Sequence, residues 1–162
     1  MTKGSVSLIG AGPWDPGLLT LRWKEKLEEA EVILYDDLVN PLLLHYAPKA
    51  KKIYVGKRGG KRSVKQEKIN RLLVQWSRKG KKIARLKGGD PFLFGRGSEE
   101  AVVLAKQKIP FEVIPGVSSA LACPAYAGIP VSDRNCASSV GIFTGTEQPD
   151  KEGSRLKWDK FA

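Results

Sequence analysis

Four glycines, one proline and two phenylalanines crowd into residues 85–100, Arg-Leu-Lys-Gly-Gly-Asp-Pro-Phe-Leu-Phe-Gly-Arg-Gly-Ser-Glu-Glu. Glycine loses more conformational freedom on folding than any other residue, so a stretch this rich in it is more than a connection. The Gly88-Gly89 pair lets a ligand approach the backbone, Asp90 can accept from a hydroxyl or an amine, and the aromatic rings exclude water. Residues 115–119, Pro-Gly-Val-Ser-Ser, repeat the theme with hydroxyls at a helix N-terminus. A third glycine loop, residues 10–16 (Gly-Ala-Gly-Pro-Trp-Asp-Pro), follows a short apolar run. It does not suit a dinucleotide pyrophosphate, because Asp15 stands where the third glycine of that fingerprint would fall and two prolines remove amide donors. An uncharged adenosine ligand fits better. Asp36, in Tyr35-Asp36-Asp37, can take a proton or orient a cation at a strand end, although Asp there is also an ordinary turn residue. Gly56-Lys57-Arg58-Gly59-Gly60-Lys61-Arg62 brackets four cations with glycines, an arrangement suited to gripping carboxylates or phosphates.

Charge narrows the partner. The 162-residue chain carries a formal net charge of +11, and residues 51–100 alone hold 16 Lys and Arg against 4 Asp and Glu. Such a block serves as a solvated face, a nucleic-acid patch or an attractor for a polyanionic small molecule. The four tryptophans are not interleaved with these cations as in a stacking platform, which argues against nucleic acid. Cys123 and Cys136 form no CxxC and encode neither a zinc cage nor a disulfide framework, so they read as reduced, partly buried thiols. No metal-ligand cluster is visible. No apolar run approaches the ~20 residues of a membrane span. The run from Val6 to Ile9 ends at a glycine and reads as a strand, not a signal peptide. A cytoplasmic protein with no membrane partner is expected.

These loops need rigid elements to hold them. Apolar, β-rich runs predict strands at 5–10, 32–35, 52–55, 82–86 and 111–114. A helix over 18–30 would turn Leu19, Trp23, Leu27 and Ala30 inward, and Asn40-Pro41 would open a short one to residue 46. A capping box at Ser63 and Gln66 would open a helix burying Ile69, Leu72, Leu73 and Trp76 and ending at Gly80. Ser98 would cap a helix to residue 106, and a small-residue helix would span 118–127. Strand and helix alternate five times, which predicts an α/β fold: a five-stranded, mainly parallel sheet with helices on both faces. Ligands of such sheets bind outside the carboxyl ends of the strands. Residues 139–143 read as a sixth strand. The expected organisation is an N-terminal α/β domain (1–129), a linker (130–137) and the truncated start of a C-terminal domain (138–162).

Taken together, the loops resemble the tetrapyrrole methylase family. The resemblance spans residues 5–145 and rests on Gly-Ala-Gly-Pro at 10–13, Leu-Leu-Thr at 18–20, Tyr-Asp at 35–36, Gly-Lys-Arg at 56–58 and Gln66 with Ile69-Asn70. It rests above all on Arg-Leu-Lys-Gly-Gly-Asp-Pro-Phe-Leu-Phe-Gly-Arg-Gly at 85–97, with Ile-Pro-Gly-Val-Ser-Ser at 114–119 and Ala-Tyr-Ala-Gly-Ile-Pro at 125–130. It implies S-adenosylmethionine as methyl donor, folded between two α/β domains, and two methyl transfers to ring carbons of uroporphyrinogen III. The product would be precorrin-2, on the way to sirohaem or cobalamin. By the same resemblance Pro13, Gly88, Gly89, Asp90, Leu93, Ser118 and Ser119 would contact the donor, Asp36 would accept a proton and Lys57 would donate one. Arg58, Lys61, Arg62 and Arg96 are candidates, beside Lys57, for the substrate's carboxylates. The full-length family member is expected to be a homodimer. The pattern departs at Trp14, where the family has glycine, and at Asp133, before Arg134, where it has histidine. With its second domain absent the chain is expected to bind donor weakly or not at all, and not to turn over. The alternatives are a non-catalytic remnant that binds a tetrapyrrole or a partner domain, and a methylase of another tetrapyrrole.

Overall fold

The computed structural model describes residues 4–56 and 65–144. Two compact units divide the chain, Met1–Pro130 and Val131–Ala162. The first contains strands β1 (Ser5–Gly10), β2 (Val32–Tyr35), β3 (Lys51–Tyr54), β4 (Lys82–Lys87) and β5 (Phe111–Ile114). It also contains helices α1 (Leu21–Glu28), α2 (Gln66–Arg78), α3 (Gly97–Lys106) and α4 (Ser119–Tyr126), with two 3-10 turns at Pro16–Leu18 and Pro41–Tyr46. The strands form one sheet in the order β3-β2-β4-β1-β5, and every pairing is parallel.

Side chains alternate across the sheet and are buried on both sides. Ile9, Ile33, Ala84 and Leu86 pack with Trp23 and Leu27 of α1 and with Leu43. Val6, Leu8, Val32, Leu34 and Ile83 pack on the other face with Ile69 and Leu73 of α2 and Leu104 of α3. Each such side chain contributes about 1.5–3 kcal/mol by leaving water. That double cover is why the strands read as continuous apolar runs.

Element ends follow their caps. Asp15 Oδ1 accepts from the Gly17 amide and closes a 3-10 turn, and Thr20 Oγ1 then accepts from Trp23 N to start α1, which splits the helix expected over 18–30. Asn40 Oδ1 caps its turn through Leu42 N, yet Pro41 opens a 3-10 turn. Ser63 lies outside the described residues. The helix it was expected to cap begins at Gln66, with Lys65 at the N-cap and no side-chain cap bond. Ser98 does not cap α3. Arg96, in left-handed conformation (φ 56°), holds that position, because Gly97 N donates back to the Pro91 carbonyl and folds the loop onto the helix start.

In the second unit Asp133 and Ala137 form an antiparallel bridge around a turn, with Asn135 N donating to Asp133 Oδ1. Residues 139–143 are not a strand. A strand exists only through a ladder partner, and none pairs with this run among the described residues. Cys123 and Cys136 are exposed rather than partly buried. No helix among the described residues is long and apolar enough to cross a membrane.

Candidate functional site

The strand order places the glycine loops side by side. β4 is central, so the loop after it emerges between the loops that follow β1 and β2, while β1 also borders β5. Gly12 and Gly89 form an antiparallel bridge, with Gly12 N donating to Gly89 O at 3.2 Å and Gly89 N to Gly12 O at 2.8 Å. Gly116 closes the group: a Cβ there would lie 2.3 Å from Gly89 O and 2.8 Å from Gly10 Cα. Backbone thus packs on backbone in three loops at once. Asp90 ties them further, Oδ1 accepting from Phe92 N at 2.8 Å and Oδ2 from Gly116 N at 3.1 Å. Beside this interlock there is room. A Cβ on Gly89 (φ +62°) would meet only Ser118 Cα at 3.8 Å, and one on Gly12 (φ +72°) only Leu18 O at 3.7 Å.

The structure therefore brings Gly88, Gly89, Asp90 and Ser118 together with the first loop, in which Pro13 is half-buried. Ser118 Oγ accepts from Ala120 N as the cap of α4, leaving its hydroxyl hydrogen available to donate. Leu93 is half-buried farther along the central loop, and Ser119 opens α4 exposed to solvent. Trp14 departs from the glycine pattern at a cost: its φ is +80°, its indole is 50% exposed, and its carbonyl accepts from Asn40 Nδ2 at 2.8 Å. A Cβ in left-handed conformation costs about 1–2 kcal/mol. Trp14→Gly is therefore expected to be more stable than Trp14→Ala, which also loses the indole, by about 1 kcal/mol; urea unfolding midpoints of the two variants check this.

Asp36 lies just past β2 and is held on both oxygens, Oδ1 by Leu38 N at 3.2 Å and Oδ2 by Arg85 Nη2 at 3.0 Å. Arg85, Lys87 and Glu100 form a buried charge cluster behind it. Burial, and after it the like charge of Arg85, push the Lys87 ammonium below the ordinary lysine range, against the opposing pull of Glu100. Arg96 is exposed and already forks onto Glu99, at 2.7 and 2.9 Å. Lys57, Arg58, Lys61 and Arg62 lie outside the described residues.

The basic block is less uniform than its count suggests. Lys81 and Lys82 pair with Glu31 and Glu29, Lys51 and Lys79 sit over the Trp76 ring, and Lys52 donates to the Ala47 carbonyl. Sequence reasoning missed Arg85, Lys87, Glu100 and Gln66 as members of the site. The available signal was two cations at alternate positions, 85 and 87, in an otherwise buried strand. Among the described residues no group of three His, Cys, Asp or Glu could hold a metal ion.

Comparison with known proteins agrees with this geometry. The family model for tetrapyrrole (corrin/porphyrin) methylases matches residues 5–162. A uroporphyrinogen-III C-methyltransferase of Methanocaldococcus jannaschii is 52% identical over 159 residues, 98% of this chain and 66% of that protein. A siroheme synthase of Actinobacillus pleuropneumoniae is 51% identical over 160 residues, 98% of this chain and 32% of that protein. The chain thus spans between a third and two thirds of the relatives it matches. A crystal structure of the Thermus thermophilus uroporphyrin-III C-methyltransferase complexed with S-adenyl homocysteine superposes with a TM-score of 0.71 at 47% identity, covering 83% of this chain and 56% of that one. With the glycine interlock in place and the family model matched along nearly its whole length, the chain belongs to the tetrapyrrole methylase family.

Proposed function

We propose that the protein C-methylates uroporphyrinogen III twice, with S-adenosylmethionine as donor, to give precorrin-2. The observation that carries it is the three-loop glycine interlock at the carboxyl edge of the sheet, open beside Gly12 and Gly89 and bordered by Asp36. Support for donor and substrate comes from the names of the relatives and from the S-adenosylhomocysteine complex of the Thermus protein. The glycines offer a surface without side chains, on which an adenosine can lie against backbone amides and carbonyls. Ser118 offers a hydroxyl hydrogen.

The chemistry asks little of the protein. An electron-rich pyrrole carbon forms the new bond to the sulfonium methyl, whose bond to sulfur breaks. The residues must hold the two in line and handle one proton. Each transfer adds a methyl cation and releases one proton: Asp36, fixed by Arg85 and Leu38 N, accepts it, and a proton that Lys57 donates to the macrocycle is given back, so the net loss stays one. Lys57 and Arg58, with Lys61, Arg62 and Arg96, attract the substrate's carboxylates. Mass spectrometry of uroporphyrinogen III incubated with donor and a two-domain protein that carries this chain tests the reading: a gain of two methyl groups is expected. Retained tetrapyrrole binding with no mass gain would mark a binding protein instead. Lys57→Ala and Arg58→Ala are expected to raise KM for uroporphyrinogen about tenfold or more, while donor affinity stays within about twofold. Unchanged kinetics would remove these cations from the substrate site.

A further inference from the structure

Arg85 is 3% exposed, and every nitrogen of its guanidinium is engaged. Nε donates to Glu100 Oε1 at 3.1 Å, Nη1 to the Leu86 carbonyl at 2.6 Å and Nη2 to Asp36 Oδ2 at 3.0 Å. Glu100 is 0% exposed on α3; its Oε1 also accepts from Lys87 Nζ at 3.3 Å and from Gln66 Nε2 of α2 at 3.1 Å, and the Lys87 ammonium lies 3.2 Å from Oε2. The cluster therefore joins the end of β2, strand β4, and helices α2 and α3. It also touches the central loop: a Cβ on Gly95 would lie 3.3 Å from Lys87 Cε, and α3 begins where Gly97 N donates to the Pro91 carbonyl at 3.0 Å.

Stability does not explain such an arrangement. Buried ion pairs return little more than apolar residues of the same volume, because desolvation offsets the attraction. Direction is what a guanidinium supplies, since its donors are fixed in one plane. We propose that Arg85 and Glu100 are positioning residues, whose buried pair aims the Asp36 carboxylate and locks it to the frame that carries the glycine loop. The functional part of this rests on Asp36 being the proton acceptor.

The test has two arms. In the full chain, Arg85→Lys keeps the charge but cannot bond Glu100, Leu86 O and Asp36 in one plane. Its kcat for methyl transfer is expected to fall about 10- to 100-fold, with KM for the donor within about twofold. A folded Arg85→Lys protein with unchanged kcat overturns the proposal. The second arm is independent of turnover and of whether Arg85→Lys folds. In 15N spectra of arginine side chains, the wild-type Arg85 signals are expected to be protected from exchange, unlike those of exposed Arg22, and Asp36→Asn is expected to shift them. Arg85 signals that exchange like Arg22, or that ignore Asp36→Asn, overturn the cluster. Protected, responsive signals in a protein that transfers no methyl group support the positioning cluster and sink the methyl-transfer reading instead.

Discussion

Gly116→Ala is expected to destabilise the protein by about 3 kcal/mol and to abolish donor binding. A Cβ at 116 would fall 2.3 Å from Gly89 O, 2.7 Å from Gly10 C and 2.8 Å from Gly10 Cα. All three obstacles are backbone, so no side chain can swing aside, and the loops after β1, β4 and β5 must part. Two comparisons separate this from an ordinary glycine effect. At Gly88 the obstacles all belong to one residue, Leu38, with Cβ at 2.5 Å and O at 3.1 Å, so only the loop after β2 must shift and Gly88→Ala is expected to cost less. At Gly128 nothing lies within 4 Å and only the φ of +71° resists substitution, at about 1–2 kcal/mol. Urea unfolding ranks the three variants, and calorimetric titration of a two-domain protein carrying each change with S-adenosylhomocysteine reads the site. A Gly116→Ala protein within about 0.5 kcal/mol of wild type would mean that the loops do not interlock as described.

Glu100→Gln is the second large effect. The carboxylate is fully buried between two cations, and removing its charge leaves Arg85 and Lys87 facing one another with Asp36 alone to balance them. Breaking a buried pair from one side costs about 3–5 kcal/mol. The cost should depend on pH in a defined direction. Lys87 is already held below its ordinary range, and losing Glu100 lowers it further. Between the folded and unfolded lysine values the unfolded chain then binds more protons, so stability of the variant rises with pH across that window. Lys87→Met added to Glu100→Gln is expected to recover much of the loss and to flatten the pH dependence, which chemical denaturation from neutral to alkaline pH would show. Recovery by neither route would place the effect in packing and not in charge.

The sheet was legible because its signals are local. Ser5–Gly10, Val32–Tyr35 and Phe111–Ile114 are bounded by glycine, charge or proline, and the structure places β1, β2 and β5 at those residues. The glycine loops were legible for the same reason: a need for missing side chains is written in the residue type. What escaped depends on distant residues. Ser98 looks like a cap in isolation, but the Gly97–Pro91 hydrogen bond, a tertiary fold of the loop, starts the helix earlier. The run at 139–143 has strand composition and lacks the neighbour that makes a strand. Arg85 finds Glu100 15 residues away and Asp36 49 residues away, distances at which no spacing rule operates. Asp90 was expected to meet a ligand, and its carboxylate is found tying two loops together.

The position of β4 also governs how the molecule comes into being. β1 and β2 do not pair with each other; β4 inserts between them, and β5 adds beside β1. Until residues 82–87 are available, β1 and β2 each lack the strand that pairs with them at the centre of the sheet. Supplying it requires contacts across some 75 residues of sequence, such as Val6 with Ile83, which places this step among the slow, non-local events of folding. Loops, charge cluster and sheet centre all depend on β4, which carries Arg85 and Lys87 and leads into the central loop. Ligand binding at these loops therefore depends on that non-local pairing, and a variant that weakens β4 is expected to lose the site together with the sheet.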